Sequence, residues 1–385
     1  MQNSMRLNSN FLIVLVLLAS AAGTARATVL PEDRVDLLYH SFSGGGIDVN
    51  GPSLLVRKQT TTNTSVFYKY YVDAISSASI DVVLSASRYN EKRTEQSGGI
   101  DYLHGKTIMS FAYTNSVEND YKANSYHFNL SQDFFGDLTT LSMGYSKGAD
   151  FVSKSKDPLF VAKEVDRQNY RIGLSQIMSK NLIMGLNWET ITDQGYLQSP
   201  YRSYSYCLPN LATCSARGFA PEKYPNTRTS NAVALTGSYF LPYRAAVHGE
   251  LKFFEDSWGI RANSYELGYS HPIANMILDF RYRLYSQTKA DFYSDNFDRI
   301  DQFNFMGRHK ELSTFDSTTL GAKLSYEFAK EGWWVFEKGS LNLSIDHTAY
   351  NYKNFRDATI GGLPSAQPLY GFTANVTQFF VSLWY

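Results

Sequence analysis

Seven histidines, His40, His104, His127, His248, His271, His309 and His347, are where catalysis or metal binding would first be sought. None sits in an H-E-x-x-H motif or another i, i+4 pair on one helix face. There is no G-x-S-x-G elbow to expose a nucleophilic serine. An enzyme working on membrane lipid would need Ser and His together on one wall, and the nearest pair, Ser344 and His347, falls on opposite faces of a strand. "SGGGIDVNG" is Gly-rich, but no Lys-Ser/Thr follows to hold a phosphate. No catalytic residue, cofactor or metal ligand is therefore assigned. Cys207 and Cys214 in "CLPNLATC" are spaced too widely for a C-x-x-C redox pair; in an oxidising compartment they would close a small disulfide loop.

The remaining polar chemistry is carried by charged residues with a regular placement. Lys69, Asp73, Arg171, Glu189, Glu250, Lys252, Asp279, Arg281, Arg283, Lys323 and Glu327 each fall on the polar side of a two-residue alternation. In "MILDFRYRLY", Met276, Leu278, Phe280, Tyr282 and Leu284 alternate with Asp279, Arg281 and Arg283. In "TLGAKLSYEF", Leu320, Ala322, Leu324, Tyr326 and Phe328 alternate with Gly321, Lys323, Ser325 and Glu327. A period of two is the mark of a strand with unlike faces. A soluble β-sandwich alternates too, but these runs reach ten residues or more, beyond the usual five or six. Their apolar face carries long aliphatic and aromatic residues throughout, with 28 Tyr and 25 Phe in the chain.

The connections alternate between short and long. Short ones fall at His104-Gly105-Lys106, Phe135-Gly136-Asp137, Ser179-Lys180-Asn181, Leu241-Pro242-Tyr243, His271-Pro272-Ile273 and Lys330-Glu331-Gly332. Long ones fall at 148–163, 193–228, 287–310 and 354–369, with Ser257-Trp258-Gly259 a tight turn on the long side. Short turns at one end and long loops at the other belong to transmembrane β-barrels. The pattern predicts an all-β, antiparallel transmembrane barrel of about 16 strands, 14 if residues 53–89 hold fewer, with strands at 53–61, 64–74 and 79–89 the earliest. If the apolar face meets lipid, the charged set above lines the lumen, because Arg or Lys at the midplane on the lipid side would cost roughly 2–4 kcal/mol. The Arg281/Arg283 pair is the best anion-attracting feature, or else pairs with neighbouring Asp and Glu.

The amino terminus has Arg6, an apolar run from Phe11 to Leu18, and an A-x-A site at Ala25-Arg26-Ala27. Residues 1–27 read as a secretory signal peptide. Residues 28–50 read as a periplasmic lead or small plug, and 51–385 as the barrel. The carboxyl terminus, "QFFVSLWY", places Phe379, Val381, Leu383 and Tyr385 on one side of a final strand. Because backbone groups in lipid must pair, that strand closes the cylinder. Its stripe resembles the C-terminal signal read by the outer-membrane barrel assembly machinery. Lys and Arg total 36 against 36 Asp and Glu, so no field argues for nucleic acid.

The segment from Asp73 to Glu95 packs Asp73, Asp81, Arg88, Glu91, Arg93 and Glu95 among serines. It suits a constriction or partner-docking site, or a salt-bridged wall that fixes register. The run "YYVDAISSAS", "SASRYNEKRTE" and "DYLHGKT" over Tyr70–Lys106, then "SVENDY" at Ser116–Tyr121 and "SQDFFGDLTTLSMGYSKGAD" at Ser131–Asp150, resembles a family of Gram-negative outer-membrane proteins of unassigned function. The resemblance spans essentially the whole mature chain. It implies a single β-barrel in the outer membrane, encoded near a small lipoprotein, a thioredoxin-like protein and a flavin-attaching transferase, and so an envelope redox or metal-handling system with periplasmic or lipoprotein partners. It assigns no catalytic residue. The functional expectation is a channel, or the membrane scaffold of such a system, in contact with outer-membrane lipid. A lipid-modifying enzyme and a secreted soluble β-protein are the alternatives.

Overall fold

The structure is a computed structural model that describes residues 29–77, 89–155, 157–208, 214–329 and 332–385. Sixteen strands close one antiparallel barrel: β1 (Arg34–Gly44), β2 (Ile47–Thr61), β3 (Thr64–Ser77), β4 (Tyr89–His104), β5 (Thr107–Val117), β6 (Tyr121–Phe134), β7 (Thr139–Val152), β8 (Lys163–Ser179), β9 (Leu182–Gly195), β12 (Thr227–Phe240), β13 (Ala246–Asp256), β14 (Arg261–Ile273), β15 (Met276–Gln287), β16 (Phe315–Glu327), β17 (Lys338–Arg356) and β18 (Leu369–Trp384). A separate hairpin, β10 (Ser203–Cys207) with β11 (Arg217–Pro221), stands in the connection from β9 to β12. The closing seam runs without a register break from Arg34↔Trp384 to Gly44↔Ala374.

The expected number of strands is met, but by a different set. Residues 34–50, expected as a lead or plug, form β1 and the start of β2. The glycine run of "SGGGIDVNG" is the turn between them: Gly45 and Gly46 both have positive φ, the geometry of a two-residue type I′ hairpin. The strand expected at 79–89 falls almost entirely on residues 78–88, outside the described residues. β3 and β4 pair directly from Ser77↔Tyr89 inward, so no further wall strand stands between them. Residues 1–27, read as a signal peptide, also lie outside the described residues. His271, Pro272 and Ile273, read as a turn, continue β14, and the turn follows at Ala274–Asn275.

Alternation around the cylinder is unbroken where it matters. The apolar sets on β15, β16, β17 and β18 pair with one another, as in Leu278↔Leu324↔Leu343↔Phe379, and face outward. Half their surface is open, as expected of side chains that lack a protein neighbour and meet lipid. Outward positions change character at one level. Ser41, Asn50, Gln96, Asn124, Gln168, Asn231, Thr318, His347 and Asn375 succeed the apolar residues towards the long-loop end. Tyrosines mark the border: Tyr113 Oη donates to Asn124 (2.7 Å) and Tyr68 Oη to Gln96 (3.0 Å). A lipid-spanning strand needs about 9–11 residues. β17 has 19, so the sheet rises roughly 20 Å past the apolar belt on the long-loop side.

Candidate functional site

Every charged residue predicted to line the lumen stands on the inward register set. Lys69 Nζ lies 3.6 Å from Glu95. Arg281 pairs with Asp346 at 2.6 Å, which is the internal pairing considered as the alternative for Arg281/Arg283. Asp279 accepts from Ser270 Oγ, and Ser270 lies 3.2 Å from His248 Nε2, whose Nδ1 lies 2.9 Å from Ser238 Oγ. Glu189 accepts from Asn169 at 2.8 Å. Lys323 Nζ stands 5.6 Å from the Phe380 ring centre. Arg171 pairs in register with Glu189, and Arg283 with Glu266, which pairs in turn with Glu250. Lys252 and Glu327 share this inner set opposite Ser264 and Ser340.

Asp73 is the centre of a buried polar cluster. Its Oδ1 is 2.7 Å from His40 Nε2 and its Oδ2 is 2.7 Å from Arg93. Tyr71 stacks on His40 with ring centres 4.8 Å apart. His40 belongs to the stretch taken for a lead, so sequence reasoning had no strand from which to point it at Asp73. The geometry is that of the salt-bridged wall considered for this segment, tying β1, β3 and β4 together. Farther out, carboxylate oxygens of Glu91, Glu118 and Asp120 lie within 4.8 Å of one another.

The inner wall is asymmetric. From β5 to β12 it is rich in small residues, Ala112, Ser125, Gly144, Ser142, Gly173, Ser175, Gly185, Ala234 and Thr236, set among the larger polar His127, Asn129, Arg171, Asn187 and Glu189. A Cβ at Gly144 would come within 2.8 Å of Asn129 Oδ1. Ser142 and Asn187 are exposed although they face inward, so this half of the lumen holds open space.

The opposite half ends in aromatic residues, which the alternation argument missed. Phe315, Tyr350, Tyr352, Tyr370 and Phe372 all take inward positions above the belt. Connecting segments fold over them. Trp258 and Ile260 come from the β13–β14 turn, and Ala290, Phe292, Tyr293 and Leu312 from the β15–β16 connection. Tyr350 stacks on Phe372 at 4.6 Å, and Trp258 meets Phe292 edge-on at 5.2 Å. A second small core, Tyr204, Phe297 and Met306, joins the β10–β11 hairpin to the same connection. Asp295 fastens the whole, accepting from Arg217 Nη2 (2.8 Å), Arg308 Nη2 (3.0 Å) and the Arg356 backbone N–H (3.0 Å). The disulfide Cys207–Cys214 is formed, and Asn296 Nδ2 donates towards both sulfurs. These segments make a folded cap over the β13-to-β1 side of the long-loop mouth. A seam of polar-in, apolar-out strands gave no sign of it, because aromatic inward residues become buried only once distant loops arrive.

In the carboxyl-terminal stripe, Phe379, Val381 and Leu383 pair in register with Tyr39, Leu37 and Val35 of β1. Tyr385 adds a clasp, reaching over β1 to donate from Oη to the Arg57 carbonyl at 3.0 Å, with Lys58 Nζ 4.7 Å from its ring centre.

A family model described as "Protein of unknown function (DUF3570)" matches residues 32–380. The chain belongs to that family. Its matched span takes in all but the last four residues of the wall, β1 included. No curated protein matches the sequence. Among solved structures, the family member is similar to a bacterial polysaccharide outer-membrane secretin (9% identity, TM-score 0.49, 94% of this chain and 99% of that one). It is also similar to the outer-membrane protein OpdK of Pseudomonas aeruginosa (10% identity, TM-score 0.42, 91% and 99%) and to the siderophore receptor PirA of the same organism (11% identity, TM-score 0.42, 92% and 63%). The closed strand order itself, with its apolar outer belt, makes this DUF3570 chain an outer-membrane-type β-barrel.

Proposed function

We propose that the protein resides in the Gram-negative outer membrane and acts as a channel for small polar solutes, with its outer mouth half covered by a folded cap. The observation that carries this reading is the small-residue wall from β5 to β12, where inward Ser142 and Asn187 remain open to solvent. Barrels of sixteen strands are wide enough to leave an aqueous passage. The lumenal charges are of both signs, which favours weak ion selectivity. The serine–histidine contacts of the wall, Ser238 and Ser270 on His248, lie on the inward face and away from lipid, which favours transport over lipid chemistry. Conductance of the purified protein in planar bilayers, with liposome swelling in graded sugars, is the test. A sealed bilayer together with absent swelling would overturn the channel.

A role in an envelope redox or metal-handling system belongs to this proposal only through the sequence resemblance. Its test is co-purification of a small lipoprotein or thioredoxin-like partner after mild crosslinking; recovery of the barrel alone would remove it.

A further inference from the structure

We propose that the outer wall over β4–β7 binds the phosphorylated head group of a glycolipid of the outer leaflet, through Lys92, Lys122 and Lys147. This inference rests on the membrane placement and not on the channel reading.

All three lysines take outward positions. Lys122 pairs with Val117 of β5 and Phe151 of β7, Lys147 with Tyr126 of β6 and Gln168 of β8, and Lys92 with Ala74 of β3. Each is exposed. Among the described residues none of the three forms an ion pair, whereas the outward Lys353 on β17 is paired with Asp316 at 2.9 Å. No outward position on the described parts of β4, β5, β6 or β7 carries a carboxylate; the nearest are Glu164 and Asp166 on β8. The four strands themselves are therefore cationic on their outer face, and Glu164 and Asp166 of β8 bound the sector on one side.

Height decides what the sector faces. The Tyr113–Asn124 and Tyr68–Gln96 hydrogen bonds mark where the outer surface turns from apolar to polar. Lys147 stands beside that collar, with Lys122 and Lys92 one and two steps above it. Ideal strand spacing puts Lys92 and Lys122 roughly 12 Å apart, and Lys122 and Lys147 roughly 14 Å apart. That is the depth of the outer leaflet's head groups, continuous with the lipid-facing belt below. Amines at this depth attract anionic head groups, as basic clusters at other membrane surfaces do. A soluble anion would have no reason to follow the lipid border, whereas a phosphorylated lipid is held there by its own acyl chains.

The test titrates the detergent-solubilised full-length barrel with bis-phosphorylated lipid A, fully dephosphorylated lipid A, and inorganic phosphate, reading bound lipid by native mass spectrometry. The variant is Lys92→Gln/Lys122→Gln/Lys147→Gln, with the Lys→Arg triple as the charge-retaining control. Heat-modifiable gel mobility confirms that each variant forms the barrel. The expected result is binding of phosphorylated lipid A that is weakened on the order of a hundredfold in the Gln triple, about fivefold per lysine, and retained in the Arg triple. Equal binding by the Gln triple, or equal binding of dephosphorylated lipid A, overturns the proposal. Inorganic phosphate competing as well as the lipid overturns the assignment to a lipid.

Discussion

Arg217 Nη2 donates to Asp295 Oδ2 across 2.8 Å, joining two loops whose residues are 78 positions apart. Both flanking arginines, Arg217 and Arg308, are almost wholly buried, so the carboxylate compensates two charges at once. Breaking such a buried pair costs roughly 3–5 kcal/mol because the remaining charge is left uncompensated. Asp295→Ala should therefore loosen the cap without disturbing the wall. The expected readout is faster proteolysis within residues 288–314 and higher conductance, at unchanged heat-modifiable mobility. Unchanged proteolysis would mean that the aromatic packing alone holds the cap.

The cap should also respond to acid. His309 is buried, and burial, aided by nearby Arg202 and Lys310, pushes its imidazole well below the ordinary value of about 6.5. Glu311 Oε2 lies 3.6 Å from its Nδ1, and Glu222 accepts from the backbone N–H groups of Arg308 and His309. The folded cap keeps this histidine neutral, whereas the unfolded chain takes up a proton near pH 6.5. Folding therefore favours the deprotonated form: cap stability is full above about pH 6.5 and falls as pH drops below it. Protease sensitivity of the cap should rise between about pH 7 and pH 5, and His309→Gln should flatten that rise.

Leu278 and Asp279 are neighbours that face opposite solvents. Leu278→Arg puts a charge against the belt, where Arg costs up to roughly 2–4 kcal/mol with depth, and should block membrane assembly. Asp279→Asn keeps its acceptor for Ser270 and should assemble normally, altering conductance at most. Equal tolerance of both in an outer-membrane fractionation would refute the assignment of faces.

The passage itself is addressed by Ser142→Trp, which places a large ring on the small-residue wall. Single-channel conductance should fall severalfold. Leu141→Trp, one residue along and on the lipid side, should leave it unchanged. A conductance indifferent to Ser142→Trp would place the permeation path elsewhere.

What the sequence settled by itself was the wall. Alternation such as Leu278, Phe280 and Tyr282 against Asp279, Arg281 and Arg283 is a local property, enforced residue by residue by the contrast between hydrocarbon and water, and so it can be read in any short window. The same reasoning located short turns such as His104-Gly105-Lys106 and Phe135-Gly136-Asp137 and the long loops, while setting the turn after β14 at His271–Ile273, residues that continue the strand. It faltered at β1, where inward Leu38 and Phe42 blur the contrast with outward Leu37 and Tyr39, and where the glycines of a hairpin turn look like a linker. The cap, the pairing of His40 with Asp73 and the reach of Tyr385 over β1 to Arg57 were decided only by the closed tertiary structure. Each joins residues remote in sequence, and neither burial nor ion pairing exists for them until the sheet has curled round and its first strand meets its last.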